Sequence, residues 1–269
     1  MAYRTRSRHK RRAATQEFVS LDENYPSMHQ RFLKAIRLLQ PNALRIGWWA
    51  CPICGNPLQV RLNTDEMGVR CVRCGASPVT QSIVDVIRGE CLDLSSRSVY
   101  ELSSRGALVD WLAPRVGSLM TSEYIPGAAL GSICQGVRCE DVQRLTFEDN
   151  VFDLCTSTEV FEHVDDDYAG FVQVRRVLRP GGMFIFTVPL SGGEHTIERA
   201  SVLDGQLTHL LEPEYHGDPF SPGTQVLCMR NYGADIVERL RNAGFSSAKL
   251  IRPVSDMMHH ARTVIVAER

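Results

Sequence analysis

The stretch from Val151 to Leu190, VFDLCTSTEVFEHVDDDYAGFVQVRRVLRPGGMFIFTVPL, constrains the fold more than any other part of the chain. Phe152 to Thr156 is a short apolar run of strand type. Tyr168, Phe171, Val172 and Leu178 then recur at helical spacing. Arg175, Arg176 and Arg179 gather near the end of that run, where cations suit the helix dipole. Pro180-Gly181-Gly182 cannot continue a helix and predicts a turn. Met183 to Val188 is almost uninterrupted apolar sequence, as expected of a parallel strand covered on both faces. The order strand, helix, strand makes one βαβ unit of an open α/β sheet. Ligands of such sheets bind beyond the carboxyl ends of the strands, here near Ser157, Thr158 and Glu159.

A second pattern lies upstream. Cys51-Pro-Ile-Cys54-Gly55 and Cys71-Val-Arg-Cys74-Gly75 are two CxxC knuckles separated by sixteen residues. Four thiolates in this spacing converge tetrahedrally on one Zn²⁺, and the glycine after each pair opens the tight turn. The intervening segment has room for a small hairpin, so the expectation is a zinc ribbon with a closed, structural metal. A module of this size has too little core to stand alone, and metal binding supplies its folding energy. The remaining cysteines, Cys91, Cys134, Cys139, Cys155 and Cys228, lack ligand spacing and read as core thiols. Nine cysteines with four in CxxC pairs favour a reducing compartment, and the expected location is cytoplasmic.

The chain of 269 residues has room for one large domain, or for a medium domain plus a small one. No apolar run is long enough for a membrane span, and the start lacks the apolar core of a secretory signal peptide. Charge is uneven. Arg4, Arg6, Arg8, Lys10, Arg11 and Arg12 crowd the first residues without an acid, and the remainder is net acidic. An acidic body argues against broad electrostatic binding of nucleic acid, while the tail alone could touch RNA, a membrane surface or an acidic partner. Ser27-Met-His-Gln30 has the form of a capping box, followed by Met28, Phe32, Ala35, Ile36 and Leu39 on one helical face. The expected division is a basic tail over 1–20, an amphipathic helix over 21–47, the ribbon over 48–80 and the main domain over 81–269. A short helical piece around Ile83 to Ile87 would link the last two.

FDLCTSTEVFEHV followed by RRVLRPGGMFIFTVP resembles the second half of a class I S-adenosylmethionine-dependent methyltransferase of the type 11 subgroup. The resemblance runs from about Val99 to the C-terminus. It implies a Rossmann-like, seven-stranded α/β sheet with helices on both faces, preceded by the ribbon. It also implies a cofactor, S-adenosylmethionine, and a set of contacts. Ser98 to Ala107 occupies the place of the first strand and cofactor loop. The acid there is Glu101, but Ser103, Arg105 and Ala107 stand where the family alternates glycines, and Gly106 is the only glycine. Glycine at such a turn permits positive φ and close backbone approach. S-adenosylmethionine carries no phosphate, so the loop need not cradle an anion, and Gly106 can shift the turn by one residue. Glu101 would lie near the ligand's ammonium and sulfonium, with Ser103, Ser104, Arg105 and Gly106 completing the loop. Glu123 would accept from the ribose hydroxyls, with Tyr124 flanking the adenine. Asp141 and Val142, after a third strand at Val137, would hold the adenine edge. Ser157 and Thr158 would line the methionine part.

Glu159 and His163 are four apart and could share a helical face as base or acceptor contacts. Beyond Pro189 the sequence turns irregular until about Tyr232, as in segments that form lids and substrate walls. Within it, Glu214-Tyr215-His216-Gly217-Asp218-Pro219 recurs in relatives of this methyltransferase type. His216 is the first choice for acceptor contact or general base. Ile236, Val237, Leu240 and Ala243 make the stripe of a last helix. Ala248 to Ile251 and Thr263 to Ala267 read as two antiparallel edge strands, with Met257 to His260 between them. The reading that follows is a methyltransferase acting on a small-molecule or saccharide-linked acceptor. Its rivals are an RNA methyltransferase of the ribosomal type and a non-catalytic partner protein whose altered loop has lost the cofactor.

Overall fold

The computed structural model describes residues 39–65, 68–91, 93–217 and 225–269. The basic tail, the capping box at Ser27, the helix face up to Ile36, and Asp218 and Pro219 lie outside these residues.

Strands β1 (Arg45–Trp48), β2 (Leu58–Arg61) and β3 (Val69–Cys71) form a three-stranded antiparallel sheet in that order. β1 opens three residues ahead of the boundary placed at 48. Each CxxC pair closes a turn of the same form. Gly55 N–H donates to Cys51 O and Gly75 N–H to Cys71 O, both at 2.8 Å, with φ +73 at both glycines. Helix α1 (Pro78–Glu90) follows, longer than the short piece expected around Ile83. Ser77 caps it by accepting from Thr80 N–H, and Pro78 sits where its missing N–H costs nothing. Apolar packing extends it, because Ile83, Val84, Val86 and Ile87 join one buried cluster with Val99, Leu154 and Ile185 of the main sheet. The helix also holds the ribbon. Gln81 accepts from Trp49 Nε1 at 3.0 Å and donates to Gln59 Oε1 at 3.2 Å and Ala76 O at 3.1 Å.

The main domain continues through β4 (Ser98–Glu101), α2 (Ala107–Leu112), β5 (Ser118–Thr121), β6 (Ile133–Cys134), β7 (Val137–Arg138), β8 (Phe152–Thr158), α3 (Asp167–Val177) and β9 (Leu178–Thr187). Short strands β10 (Ile197–Glu198), β11 (Ala200–Leu203), β12 (Gln206–His209), β13 (Tyr215–Gly217), β14 (Gln225–Leu227) and β15 (Arg230–Asn231) precede α4 (Ile236–Asn242), β16 (Ser247–Ile251) and β17 (Val264–Glu268). The central sheet runs β16-β17-β9-β8-β4-β5. Its β5, β4, β8 and β9 are parallel, and β17 runs antiparallel to both β9 and β16, as the sequence led us to expect of the last two strands. One buried cluster lies on each face: α1 and α2 cover one, α3 and α4 the other.

Among the described residues this sheet has six strands, not the seven expected. Val137 and Arg138 pair back onto Cys134 and Ile133, because Gln135 (φ 51) and Gly136 (φ 81) make a two-residue turn with both residues left-handed. Only an isolated parallel bridge, Glu123 to Cys139, marks the place of that strand. Pro180-Gly181-Gly182 also differs from expectation. Leu178 already pairs with Phe152, and the next pair is Leu154 with Met183, so the turn is an outward bulge within β9. On α3 the buried stripe is Phe171, Val174 and Val177, while Tyr168 faces outward. The described residues between Pro189 and Tyr232 are more regular than expected. They pair β10 with β15, β11 with β12 and β13 with β14.

Candidate active site

The loop after β4 departs from glycine without adopting glycine's conformations. Ser103, Ser104 and Arg105 keep ordinary φ, and Gly106 alone takes the left-handed region, at φ +117, as the residue preceding α2. The tight turn has moved onto the single glycine. The serines brace the loop: Ser104 donates its backbone N–H at 2.7 Å and its hydroxyl at 2.8 Å to Glu123 Oε1. Glu123 follows β5, so this contact ties the tips of neighbouring parallel strands together. Tyr124 beside it is exposed.

Glu101 ends β4 and is 1% exposed. Burial pushes its carboxyl up to about 8, against hydrogen bonds from Thr156 and Ser103, and nearby Glu123 adds to the rise. Asp141 is buried and caps the 3₁₀ turn Val142–Arg144, with Oδ1 accepting from Gln143 N–H at 2.9 Å and from its side-chain amide at 3.1 Å. Asp153, the second residue of β8, accepts from Ser98 N–H and Arg179, both at 2.8 Å. At the carboxyl end of β8 the Ser157 hydroxyl is fully buried, as is that of Thr187 at the end of β9. Neither has a hydrogen-bond partner among the described residues. Buried hydroxyls of this kind are usually satisfied by a ligand or water.

Glu159 and His163 do not share a helical face. Glu159 leaves β8 at φ +53, its carboxylate accepts from the Arg262 guanidinium at 2.9 Å, and only a 3₁₀ turn, Phe161–His163, follows. His163 instead meets His216, brought across by β13, with ring centroids 5.0 Å apart and nearly perpendicular. His163 Nδ1 lies 2.8 Å from Leu227 O, and a carbonyl only accepts, so Nδ1 carries the proton. By the same argument His216 Nε2–H donates to Glu214 at 3.2 Å. The second nitrogen of each ring faces Glu162: His163 Nε2 at 3.7 Å and His216 Nδ1 at 3.9 Å from Oε1. The hydrogen bond from His216, with help from Asn231 and Arg199, holds the Glu214 carboxyl below its usual range against the effect of burial.

Arg230, 4% exposed, pins this corner. It donates to Phe161 O at 3.2 Å, Asp165 O at 2.7 Å and Val164 O, and to Glu198 at 3.0 Å. Sequence reasoning missed Glu162, Thr187, Glu214, Arg230 and Arg262. Glu162 had a local signal, adjacency to His163 within GluHisVal. Glu214 had one too, two residues before His216 in the segment quoted above, whereas Arg230 and Arg262 had none, since each meets its partners from a distant part of the chain.

In the ribbon the four cysteine sulfurs lie within 4.8 Å of one another. Cys51 and Cys74 Sγ are 3.7 Å apart and Cys54 and Cys71 Sγ 3.5 Å, close to the ~3.8 Å edge of a tetrahedron with Zn–S of about 2.3 Å. The cluster favours a thiolate at Cys51, stabilised mainly by the Cys74 thiol and opposed by burial. Among the remaining cysteines, Cys139, Cys155 and Cys228 are buried as expected, and burial pushes Cys228 up to about 11.

The order and direction of the strands define the fold class, an α/β sheet of the methyltransferase type flanked by helices on both faces. More narrowly, residues 103–186 match the family model described as a methyltransferase domain, type 11. No curated protein matches the chain. Among solved structures, the chain is similar to a 1,6-didemethyltoxoflavin N1-methyltransferase from Burkholderia thailandensis, solved with bound 1,6-didemethyltoxoflavin and S-adenosylhomocysteine. That likeness has 16% identity and a TM-score of 0.48, over 71% of this chain and 78% of the other. It is also similar to an S-adenosylmethionine-dependent methyltransferase from Mesorhizobium loti, at 16% identity and TM-score 0.46, over 70% and 98% of the two chains. A third is an amino pentose methyltransferase from Micromonospora echinaspora, at 14% identity and TM-score 0.47, over 72% and 92%. No helix among the described residues is long and apolar enough to cross a membrane.

Proposed function

We propose that the protein transfers the methyl group of S-adenosylmethionine to a small-molecule acceptor, and that its ribbon holds a structural Zn²⁺ through Cys51, Cys54, Cys71 and Cys74. One observation carries the catalytic reading: a buried acid, Glu101, and two buried hydroxyls without hydrogen-bond partners among the described residues, Ser157 and Thr187, line the carboxyl ends of adjacent parallel strands. A cationic ligand with polar edges suits such a donor and acceptor set. When bound, the cofactor supplies a methyl already activated on a sulfonium, so the protein's task is alignment and exclusion of water.

In this reading Glu101 faces the cationic part of the cofactor, and Ser103, Ser104, Arg105 and Gly106 shape the loop around it. Glu123 and Tyr124 border the ribose and adenine, and Asp141 and Val142 lie at the adenine edge. Ser157 and Thr158 line the methionine part. Glu159, paired with Arg262, fixes the exit of β8. His163 and His216 form the polar end of the acceptor site, and the short strands between Leu190 and Tyr232 wall it. Those added strands and the acidic body favour a compact acceptor.

Calorimetry with S-adenosylhomocysteine on metal-replete full-length protein tests the cofactor half. Micromolar binding is expected, and no heat at millimolar ligand would sink the reading. Changing His216 to Ala should cut turnover far more than cofactor affinity. Equal losses in both would count against its place in the acceptor site.

A further inference from the structure

We infer that Glu162, His163 and His216 form a second metal site, a 2-His-1-carboxylate centre for a divalent first-row transition ion, distinct from the cysteine cluster. The three donor atoms lie within 4.8 Å of one another. Proximity alone would be weak; the orientation of the rings carries the inference. Each imidazole has one nitrogen committed to an outer acceptor, His163 to Leu227 O at 2.8 Å and His216 to Glu214 at 3.2 Å. In each, the nitrogen turned toward Glu162 is therefore the one able to present a lone pair. The separations to Glu162 Oε1, 3.7 and 3.9 Å, are too long for hydrogen bonds. Two ligand atoms held about 2.1 Å from one ion sit roughly 3.0 to 3.4 Å apart, so side-chain shifts of under about 1 Å would close the site. An outer carboxylate or carbonyl on each metal-bound histidine is the usual way such ligands are oriented.

A rival grouping, Glu214, His216 and Cys228, is less suited. Glu214 already serves as the outer acceptor of His216, and the Cys228 thiol donates to Arg230 O at 3.1 Å. Two imidazoles and one carboxylate select a transition ion over Mg²⁺ or Ca²⁺, and three protein donors leave coordination positions for water or an oxygen ligand. The inference deepens the proposed acceptor site: His163 and His216 would meet the acceptor through the ion, and a hydroxyl-bearing acceptor is the class that such an ion takes.

Co²⁺ is the probe, added to full-length protein whose ribbon retains its zinc, with no cofactor present. The expected result is one Co²⁺ taken up per chain, with weak visible absorption and no thiolate charge-transfer band. X-ray absorption on this sample should give nitrogen and oxygen neighbours including two imidazoles, and no sulfur. Glu162→Gln and His216→Ala should weaken uptake at least tenfold while zinc content stays at one per chain. Glu214→Gln should weaken it about tenfold by disturbing the orientation of His216. The site is overturned if the wild type takes up no stoichiometric Co²⁺, if the bound ion has sulfur or only oxygen neighbours, or if His216→Ala binds as tightly as wild type. The wild-type measurements stand even where a variant fails to fold. They are independent of cofactor binding, so loss of the metal site and loss of the methyltransferase reading are separate outcomes.

Discussion

Glu101 is the residue whose environment makes the sharpest demand. With its carboxyl pushed up to about 8, it is largely protonated at neutral pH in the unliganded protein. A sulfonium or ammonium beside it favours the carboxylate, so binding expels a proton. Cofactor affinity should therefore rise with pH and level off above about 8, and Glu101→Gln should flatten the profile. Calorimetry from about pH 6 to about pH 9 checks this; a wild-type profile already flat would remove Glu101 from the cofactor's neighbourhood. Stability of the unliganded protein runs the opposite way. A raised carboxyl contributes fully below its ordinary value of 4.5, and that contribution is lost as pH rises toward about 8. Single residues were legible where chemistry is local. The four cysteines are the clearest case, because CxxC spacing encodes the turn that joins each pair. Glu159 was not legible in the same way: its partner Arg262 arrives from the connection before the last strand, and spacing on a presumed helix misdirected the reading.

Among the elements, the short strands over the crevice depend on one side chain. Arg230 in β15 fastens the 3₁₀ turn that carries Glu162 and His163, and Arg239 of α4 joins the same network at 2.8 Å from Asp167 and 2.6 Å from Glu198. Arg230→Ala would leave buried carbonyls and part of Glu198 unsatisfied. It should cost about 3 kcal/mol, read as a lower denaturant midpoint with little change in slope. Ser77→Ala removes the cap of α1 and should cost about 1 kcal/mol by the same measurement. Elements with a strong hydrophobic period, such as β8, β9 and α4, were readable from sequence. The hairpin of β6 and β7 was not, because the short run Val137-Arg138-Cys139, alternating apolar and polar, fits a strand in either sheet. The outcome turned on Gln135-Gly136, whose left-handed backbone folds the run back on itself.

Across the whole molecule, the ribbon and the sheet share one helix. Gln81 of α1 reaches Trp49, Gln59 and Ala76, while Ile83, Val84 and Ile87 cover Val99, Leu154 and Ile185. If the cysteine cluster holds the proposed zinc, a chelator or Cys74→Ser should lower the melting temperature of the entire chain and weaken S-adenosylhomocysteine binding. An unchanged calorimetric isotherm in metal-stripped protein would show the two halves to be independent. The ribbon also touches the strand tips. A side chain at Gly47 would collide with Met258, which belongs to a left-handed turn over Met257, Met258 and His259 just ahead of Arg262.

This arrangement bears on anyone seeking a minimal catalytic fragment. A cut at residue 81 would sever α1 after its first turn, discard Ser77 and take away the scaffold against which Gln81 is held. The shortened product should aggregate through the uncovered valines and isoleucines of the sheet, so a trimmed version of this protein ought to begin upstream of the first knuckle.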